Sequence, residues 1–256
     1  MSARRKAAGL LVAATLLAGW TAPPPSPAAR AHSGAPRVQS MIVGRHGVVL
    51  SRARSILAGP ATVRVGGHSC AVAAGTPLAV LAALRRAGGP AFALRDYGHC
   101  GASPGNSAEL FVSALAGQRN AGRSGWEYKV DGLAGSTGAA DPSGPAGNGR
   151  RVPAGARVLW FYCETTARGC QRTLTVTSAA ASVTAGSPLQ VSVGGDDDEG
   201  TLAPVVGASV MIGSLSASTD AGGRATLSAP TAPGSYRLTA SAPGLVPSFP
   251  VEVQVR

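Results

Sequence analysis

The chain has 256 residues, with 23 Lys or Arg against 12 Asp or Glu for a formal net charge of +11. After one short apolar run near the N-terminus, no stretch approaches the ~20 consecutive apolar residues of a spanning helix, which excludes a bundle of membrane-spanning helices. No Gly-x-Ser-x-Gly, phosphate loop or dinucleotide fingerprint occurs, so the motif-bearing hydrolase and nucleotide-binding classes have no support either.

Residues 1–31 read as a secretory signal. Arg4, Arg5 and Lys6 form a positive n-region, and Ala7 to Trp20 is an apolar run too short for a membrane anchor. Ala29-Arg30-Ala31 places small residues where signal peptidase reads, so the mature chain is expected to start near His32. No cysteine directly follows the apolar run, which argues against a lipoprotein anchor. The product is expected to be secreted, either extracellular or cell-wall associated.

Residues 32–60 read as an N-terminal segment with a small hairpin, in which Met41-Ile42-Val43 and Val48-Val49-Leu50 flank Gly44-Arg45-His46-Gly47. Ala61 to Val65 and Ser69 to Ala73 read as strands. A helix follows, with Thr76 as N-cap and Pro77 at the first helical position. Arg85 and Arg86 suit its C-terminal dipole, and Gly88-Gly89-Pro90 stops it. Ala91 to Tyr97 reads as a strand and Gly98 to Asn106 as loop. Periodicity alone leaves Glu109 to Leu115 open between strand and helix. Gly125 to Val130 reads as a strand entering a tight Asp131-Gly132 turn. Gly135 to Gly149 is a long loop, and Arg157 to Cys163 is a buried closing strand. After Arg172 come six short alternating runs separated by turn residues: 174–177, 189–193, 208–212, 225–227, 236–240 and 251–255. That is the habit of a small antiparallel β-sandwich.

Charge and cysteines support a boundary near residue 172. Residues 32–171 carry 15 basic and 6 acidic residues, whereas residues 172–256 carry 4 and 6. The basic part reads as a scattered arginine surface, since no clustered basic run appears; the alternative is an attraction to anionic wall polymers, lipid headgroups or nucleic acid. Four cysteines, Cys70, Cys100, Cys163 and Cys170, all precede residue 172, and an even count in an exported chain favours disulfides. Four cysteines allow three pairings. The short turn between Cys163 and Cys170 favours that pair, which leaves Cys70 with Cys100.

Four motifs occur in a diagnostic order: the Gly75-Thr76-Pro77 helix, Leu110 to Gly117, Gly125-Trp126-Glu127-Tyr128-Lys129-Val130-Asp131-Gly132, and Gly155 to Tyr162. Together they resemble the transcobalamin C-terminal-like family of unknown function. The family carries a threonine-capped helix, a strand ending in a Gly turn, a Trp-x-Tyr-x-Val-Asn-Gly hairpin and a Gly-Asp-x-Val-x-Trp-x-Tyr closing strand. Asp131 replaces the usual Asn here, and Ala156-Arg157 replaces the usual Asp. The resemblance covers roughly 61–163. It implies a β-grasp-like fold with one helix, and makes Glu109 to Leu115 a strand. In animal cobalamin carriers a related domain caps the corrinoid, beside a helical domain that this chain lacks. Beyond residue 172, Pro204 to Val210, Thr219 to Ala225 and Pro233 to Ala240 resemble bacterial Ig-like and carboxypeptidase-regulatory-like modules, which space or present other domains. The expected fold class is therefore α+β followed by all-β: a β-grasp-like domain over 61–171, then an Ig-like antiparallel β-sandwich over 172–256.

Several groups have both a chemical and a structural reading. Trp126, Tyr128, Trp160 and Tyr162 alternate along two strands, so they form either a platform for a sugar or flat ligand or a buried cross-strand cluster. His68, Cys70, His99 and Cys100 suggest zinc, but adjacent His99 and Cys100 seldom reach one ion, and disulfides suit an exported chain better. Arg168-Gly169-Cys170-Gln171-Arg172 resembles the nucleophile motif of L,D-transpeptidases, with His46 as a distant base; the spacing of that family is absent. Asp196-Asp197-Asp198-Glu199-Gly200 lacks the alternate acidic positions of a calcium loop and reads as a solvated turn.

The expected function is a secreted, non-enzymatic ligand- or surface-binding protein. Its β-grasp module, presented by the Ig-like spacer, would take a cell-wall polymer, glycan or small molecule, or a separate partner protein. Trp126, Tyr128 and Asp131, with neighbouring arginines, are the expected binding residues; no catalytic residue, metal or cofactor is expected. The alternatives are a cobalamin or other cofactor binder and a cell-wall-modifying enzyme using Cys170. The non-reduced intact mass of the exported protein after iodoacetamide should start near His32, lie four hydrogens below the reduced mass and carry no alkyl group. An alkylated thiol would return Cys170 to consideration.

Overall fold

The computed structural model describes residues 34–167 and 169–256. The signal reading for 1–31, the cleavage site near His32 and Arg168 of the Arg168–Arg172 motif lie outside the described residues. The chain begins with β1 (Arg37–Val43) and β2 (Val49–Leu57), joined through a single 3-10 turn at Arg45–Gly47. Next come β3 (Ala61–Val65), β4 (His68–Val72), α1 (Pro77–Arg86), β5 (Phe92–Asp96), β6 (Leu110–Leu115) and β7 (Gln118–Arg119). The region ends with β8 (Gly125–Val130), β9 (Leu133–Ala134) and β10 (Arg157–Cys163). Of the stretch 109–115, Leu110–Leu115 is a strand, and the loop after β5 contains one 3-10 turn, Pro104–Ser107.

The local chemistry of α1 explains its limits. The Thr76 hydroxyl accepts the Ala79 N–H at 3.2 Å, and Pro77 occupies a position where its missing N–H costs no hydrogen bond. Gly88, in the left-handed region at φ 81°, turns the chain away. Leu78, Leu81 and Leu84 are fully buried, so the helix is held by its core face.

The main sheet has the order β2-β1-β10-β8-β9. Its centre is a parallel pair, β1 with β10, in the register Gln39 to Arg157 through Val43 to Phe161. All other pairings in this sheet are antiparallel. The expected hairpin at 41–50 is present, but it is not a separate preliminary segment: it supplies two of the five strands, and β1 lies beside the closing strand. The tight turn after β8 also forms as expected. Asp131 at φ 50° and Gly132 at φ 91° give the left-handed pair of a type I′ hairpin. A Cβ on Gly132 would also stand 3.2 Å from the Asp196 carboxylate carbon.

The remaining strands are β11 (Thr173–Ser178), β12 (Ser182–Val183), β13 (Pro188–Asp196), β14 (Leu202–Pro204) and β15 (Ser209–Ile212). They continue with β16 (Leu215–Ser218), β17 (Arg224–Ser228), β18 (Gly234–Ser241) and β19 (Val251–Val255). One sheet runs β11-β13-β14 with β17 also on β13; the other runs β12-β19-β18-β15-β16. Every pair is antiparallel except β12 with β19. Val176, Leu189, Val191, Val210, Ile212, Leu227, Leu238 and Val253 are buried together in the core of this two-sheet sandwich. The mostly β, two-sheet character expected for this part is what the structure shows.

The central parallel pair is covered on both faces. Val38, Ile42, Val158, Trp160 and Tyr162 face the core that contains α1. Met41, Val43, Leu159, Phe161 and Cys163 face the other way, against Val246 and Phe249 of the sandwich. This is why residues 158–163 are apolar without alternation: a strand with no solvent face has no position for a polar side chain. Residues 34–256 accordingly form one compact unit.

Lys129 holds the same junction electrostatically. On β8, paired opposite Leu159, its side chain is 1 % exposed. Its ammonium donates to the carbonyls of Asp196 at 3.1 Å and Asp197 at 2.6 Å and lies 3.5 Å from the Asp198 carboxylate. Burial pushes its pKa down, opposed by the charge of Asp198. The acidic loop is thus an internal receptor for an ammonium rather than a free solvated turn. Lys129→Met should lower the unfolding free energy by about 2 kcal/mol, because it leaves carbonyls and a carboxylate without their donor. Asp198→Asn should cost clearly less, since Asp198 is 31 % exposed and two of the three lysine contacts are backbone. Urea unfolding of both variants measures the order; equal losses would contradict it.

Candidate functional site

The aromatic residues expected to bind ligand are core residues. Trp126 is 3 % and Tyr128 6 % exposed. They sit opposite Tyr162 and Trp160 in the β8–β10 register and pack as two ring pairs, 5.6 Å and 5.5 Å between centroids. Their polar atoms are used internally: Trp126 Nε1 donates to the Gln118 carbonyl and Tyr128 Oη to the Thr137 carbonyl. Tyr128 is further enclosed by the chain at Gly135, where any Cβ would overlap its ring. All four rings lie on the face that α1 covers, so the cross-strand cluster, and not the open platform, is the arrangement that forms. Asp131 is exposed, but Oδ1 accepts the Arg157 N–H at 2.8 Å and so fixes the hairpin.

The other candidate groups are also tied up. Cys70 bonds to Cys100 and Cys163 to Cys170. His68, Cys70 and Cys100 do converge, with ligand atoms within 4.8 Å of one another, but sulfurs bonded to each other are not thiolate ligands. Cys170 in a disulfide has no thiolate to attack with, which removes the nucleophile of the cell-wall enzyme reading.

Two surfaces lie close to the expected binding residues or carry exposed aromatic rings. The first is a cleft of about 250 Å³ at the junction, lined by Lys129, Asp131, Arg157, Asp196, Leu202 and Phe249 among others. Its charges are mostly paired within the protein. Lys129 is saturated, Asp196 accepts the Thr175 hydroxyl at 2.6 Å, and Arg157 lies 5.9 Å from the Phe249 ring. It is a joint.

The second surface is the outer face of the β5–β6 hairpin. Tyr97 is 62 % and Phe111 42 % exposed, and their rings stand 6.2 Å apart. Arg95 lies directly opposite Phe111 in the strand register and is exposed, with no side-chain hydrogen bond or ion pair among the described residues. Period-2 alternation creates the face: Phe92 and Leu94 pack inward against the core, while Ala93, Arg95 and Tyr97 point outward. Residues 97–100 are held by Asp96, whose carboxylate accepts the N–H groups of Gly98 at 3.0 Å and Cys100 at 2.8 Å and lies 3.5 Å from His68 Nε2. The Cys70–Cys100 disulfide ties the end of this segment to β4. Two large exposed rings and a free guanidinium on a braced strand pair can stack on the flat face of a sugar or ring while binding an acidic group. The sequence reading passed over these residues because Tyr97 and Phe111 lie 14 positions apart and in no shared motif. The available signal was the alternation of 92–97, which puts an aromatic and an arginine on the polar face.

No family model matches this chain, and neither does any curated protein. The resemblance to the transcobalamin C-terminal-like family therefore rests on motif order alone. Among solved structures, the chain is similar to the D00-D0 domain of Intimin at 14% identity with a TM-score of 0.26, covering 56% of this chain and 89% of that one. A likeness at that level carries no argument.

Burial alone would push the Asp96 carboxyl up, but the N–H groups of Gly98 and Cys100, together with His68, outweigh it and hold the pKa below the usual carboxylate value. The stabilisation is complete above the unfolded value of about 3.9 and is lost as pH falls through the lower folded value. In an acid titration followed by NMR, the Gly98 and Cys100 amide signals should move together with a midpoint below about 3.9. A midpoint above that value would mean that these bonds do not hold the loop.

Proposed function

We propose that this chain is an exported, non-enzymatic protein that binds a surface glycan or polymer through the Tyr97–Phe111–Arg95 face. The observation that carries the reading is the exposed aromatic pair beside an unpartnered arginine, on a hairpin braced by Asp96 and a disulfide. Exposed rings of this size are otherwise kept out of water, and in a binding surface they supply large contact area at low entropic cost. Two disulfides support an oxidising, extracellular setting. Among the described residues no helix is long and apolar enough to cross a membrane.

The fold reading that goes with this is a β-grasp-like N-terminal part of the transcobalamin C-terminal-like kind. The mixed sheet with its parallel first and last long strands, and the single helix packed on one face, support it. The C-terminal part is read as an Ig-like, carboxypeptidase-regulatory-like module that stabilises and presents the first. No observation favours the cobalamin or other cofactor alternative, since Trp126 and Tyr128 are enclosed.

The test is retention of the purified, disulfide-intact chain on insoluble peptidoglycan sacculi, chitin and cellulose. Wild type should be retained on at least one. Tyr97→Ala with Phe111→Ala should lose that retention at least about tenfold while keeping its thermal midpoint, because both rings are exposed and little core packing is lost. Equal retention of variant and wild type, or retention of neither on any of the three, would overturn the reading.

A further inference from the structure

We infer that the trough between β3, the last turn of α1 and β5 is an anion subsite, taking the phosphate or carboxylate groups of an extended acidic polymer. This rests on the surface-binding reading and specifies its ligand as a polyanion. The trough has a volume of about 340 Å³ and contains Arg64, Arg85 and Arg86; no carboxylate lines it. Small residues open it: Ala61, Ala82 and Ala91 leave room below the arginines, and Phe92 and Leu94 form an apolar wall.

The convergence of three arginines on one trough, with no carboxylate beside them, is what sets it apart from singly placed basic residues. Among the described residues the ion pairs within 4.0 Å are His46–Glu164, His68–Asp96 and Lys129–Asp198, so no arginine side chain has a carboxylate partner. Two arginines on this side are engaged by carbonyls. Arg54 donates to the Ala87 carbonyl at 3.0 Å, and Arg85 to the Gly89 carbonyl at 3.1 Å. The first of these meets the C-cap carbonyl of α1, whose negative end carries about half an elementary charge, and the second meets the loop beyond it. Arg64 and Arg86 are exposed and have no hydrogen bond or ion pair among the described residues. Two full guanidinium charges therefore exceed the helix-end charge, which Arg54 has already met at the Ala87 carbonyl. Each presents a planar fork that matches an oxyanion in a bidentate way.

The geometry favours a soluble polymer over a bilayer. Membrane-surface binding pairs a larger basic cluster with exposed apolar side chains that insert. None of the exposed large hydrophobic residues, such as Val48, Leu57 or Val206, lines this trough. Arg95 stands on the other face of β5, beside Tyr97 and Phe111, and is not part of the trough.

The test uses the full disulfide-intact protein with polyphosphate, poly-L-glutamate, inorganic phosphate and phosphatidylglycerol vesicles as probes, at low and at physiological salt. Arg64→Gln with Arg86→Gln should weaken binding of a soluble polyanion at least about tenfold, since a charge-assisted hydrogen bond is worth about that factor. Its salt dependence should also become shallower. Polyphosphate without poly-L-glutamate binding would identify the group as phosphate, and the reverse as carboxylate. Arg123→Gln with Arg150→Gln, which removes the same charge elsewhere, should leave affinity near wild type. Tyr97→Ala with Phe111→Ala should still bind the polyanion, so failure of the glycan reading and failure of this subsite are read separately. Equal losses from the two arginine pairs, binding to vesicles but to neither polymer, or binding to none of the probes would each overturn the proposal. Inorganic phosphate alone competing as well as the polymers would also overturn it, by reducing the trough to a small-ion site.

Discussion

The structure depends on a parallel strand pair, β1 with β10, that has no face open to water. Parallel pairing brings the first and last long strands of the N-terminal part side by side, and its two rows of side chains need two separate covers. α1 and the small hairpins supply one; Val246 and Phe249 of the sandwich supply the other. Each fully buried Leu- or Phe-sized side chain contributes about 2 kcal/mol, so the second cover is no incidental contact. The C-terminal part is consequently part of the scaffold, whatever else it presents.

Polar chemistry is spent on the same task. Lys129 lies on the sandwich-facing side of the sheet, where apolar packing would otherwise be continuous. It is tolerated there because the acidic loop offers two carbonyls and a carboxylate. Asp131 fixes the hairpin through Arg157 N–H, and Asp96 fixes the chain leading to Cys100. Several carboxylates are thereby engaged with backbone N–H groups or with Lys129 rather than with arginines.

This division separates structural from functional residues. The buried rings at 126, 128, 160 and 162 brace the sheet on its helix side. The exposed rings at 97 and 111 sit on a peripheral hairpin, held by a carboxylate and a disulfide rather than by burial. A braced peripheral strand pair can present apolar rings to a ligand without being drawn into the core.

The sequence by itself determined the elements whose causes are local. The Thr76-Pro77 start and glycine stop define α1, Asp131-Gly132 allows little but a tight hairpin, and the uninterrupted apolar run at 158–163 requires a strand covered on both sides. The seven-residue separation of Cys163 and Cys170 made their pairing legible, and the regular turn spacing after Arg172 revealed a sandwich. Tertiary structure alone decided which partner each surface meets. Residues 41–43 could be read as one arm of a hairpin, but not as the neighbour of a strand more than a hundred positions later. Alternation put Trp126 and Tyr128 on one face without saying whether that face met water or α1. Lys129 and the acidic loop are each ordinary in sequence, and only their proximity makes one the counterpart of the other. Local propensity and periodicity act over a few residues, whereas burial and charge pairing are set by segments that meet only when the sheet closes.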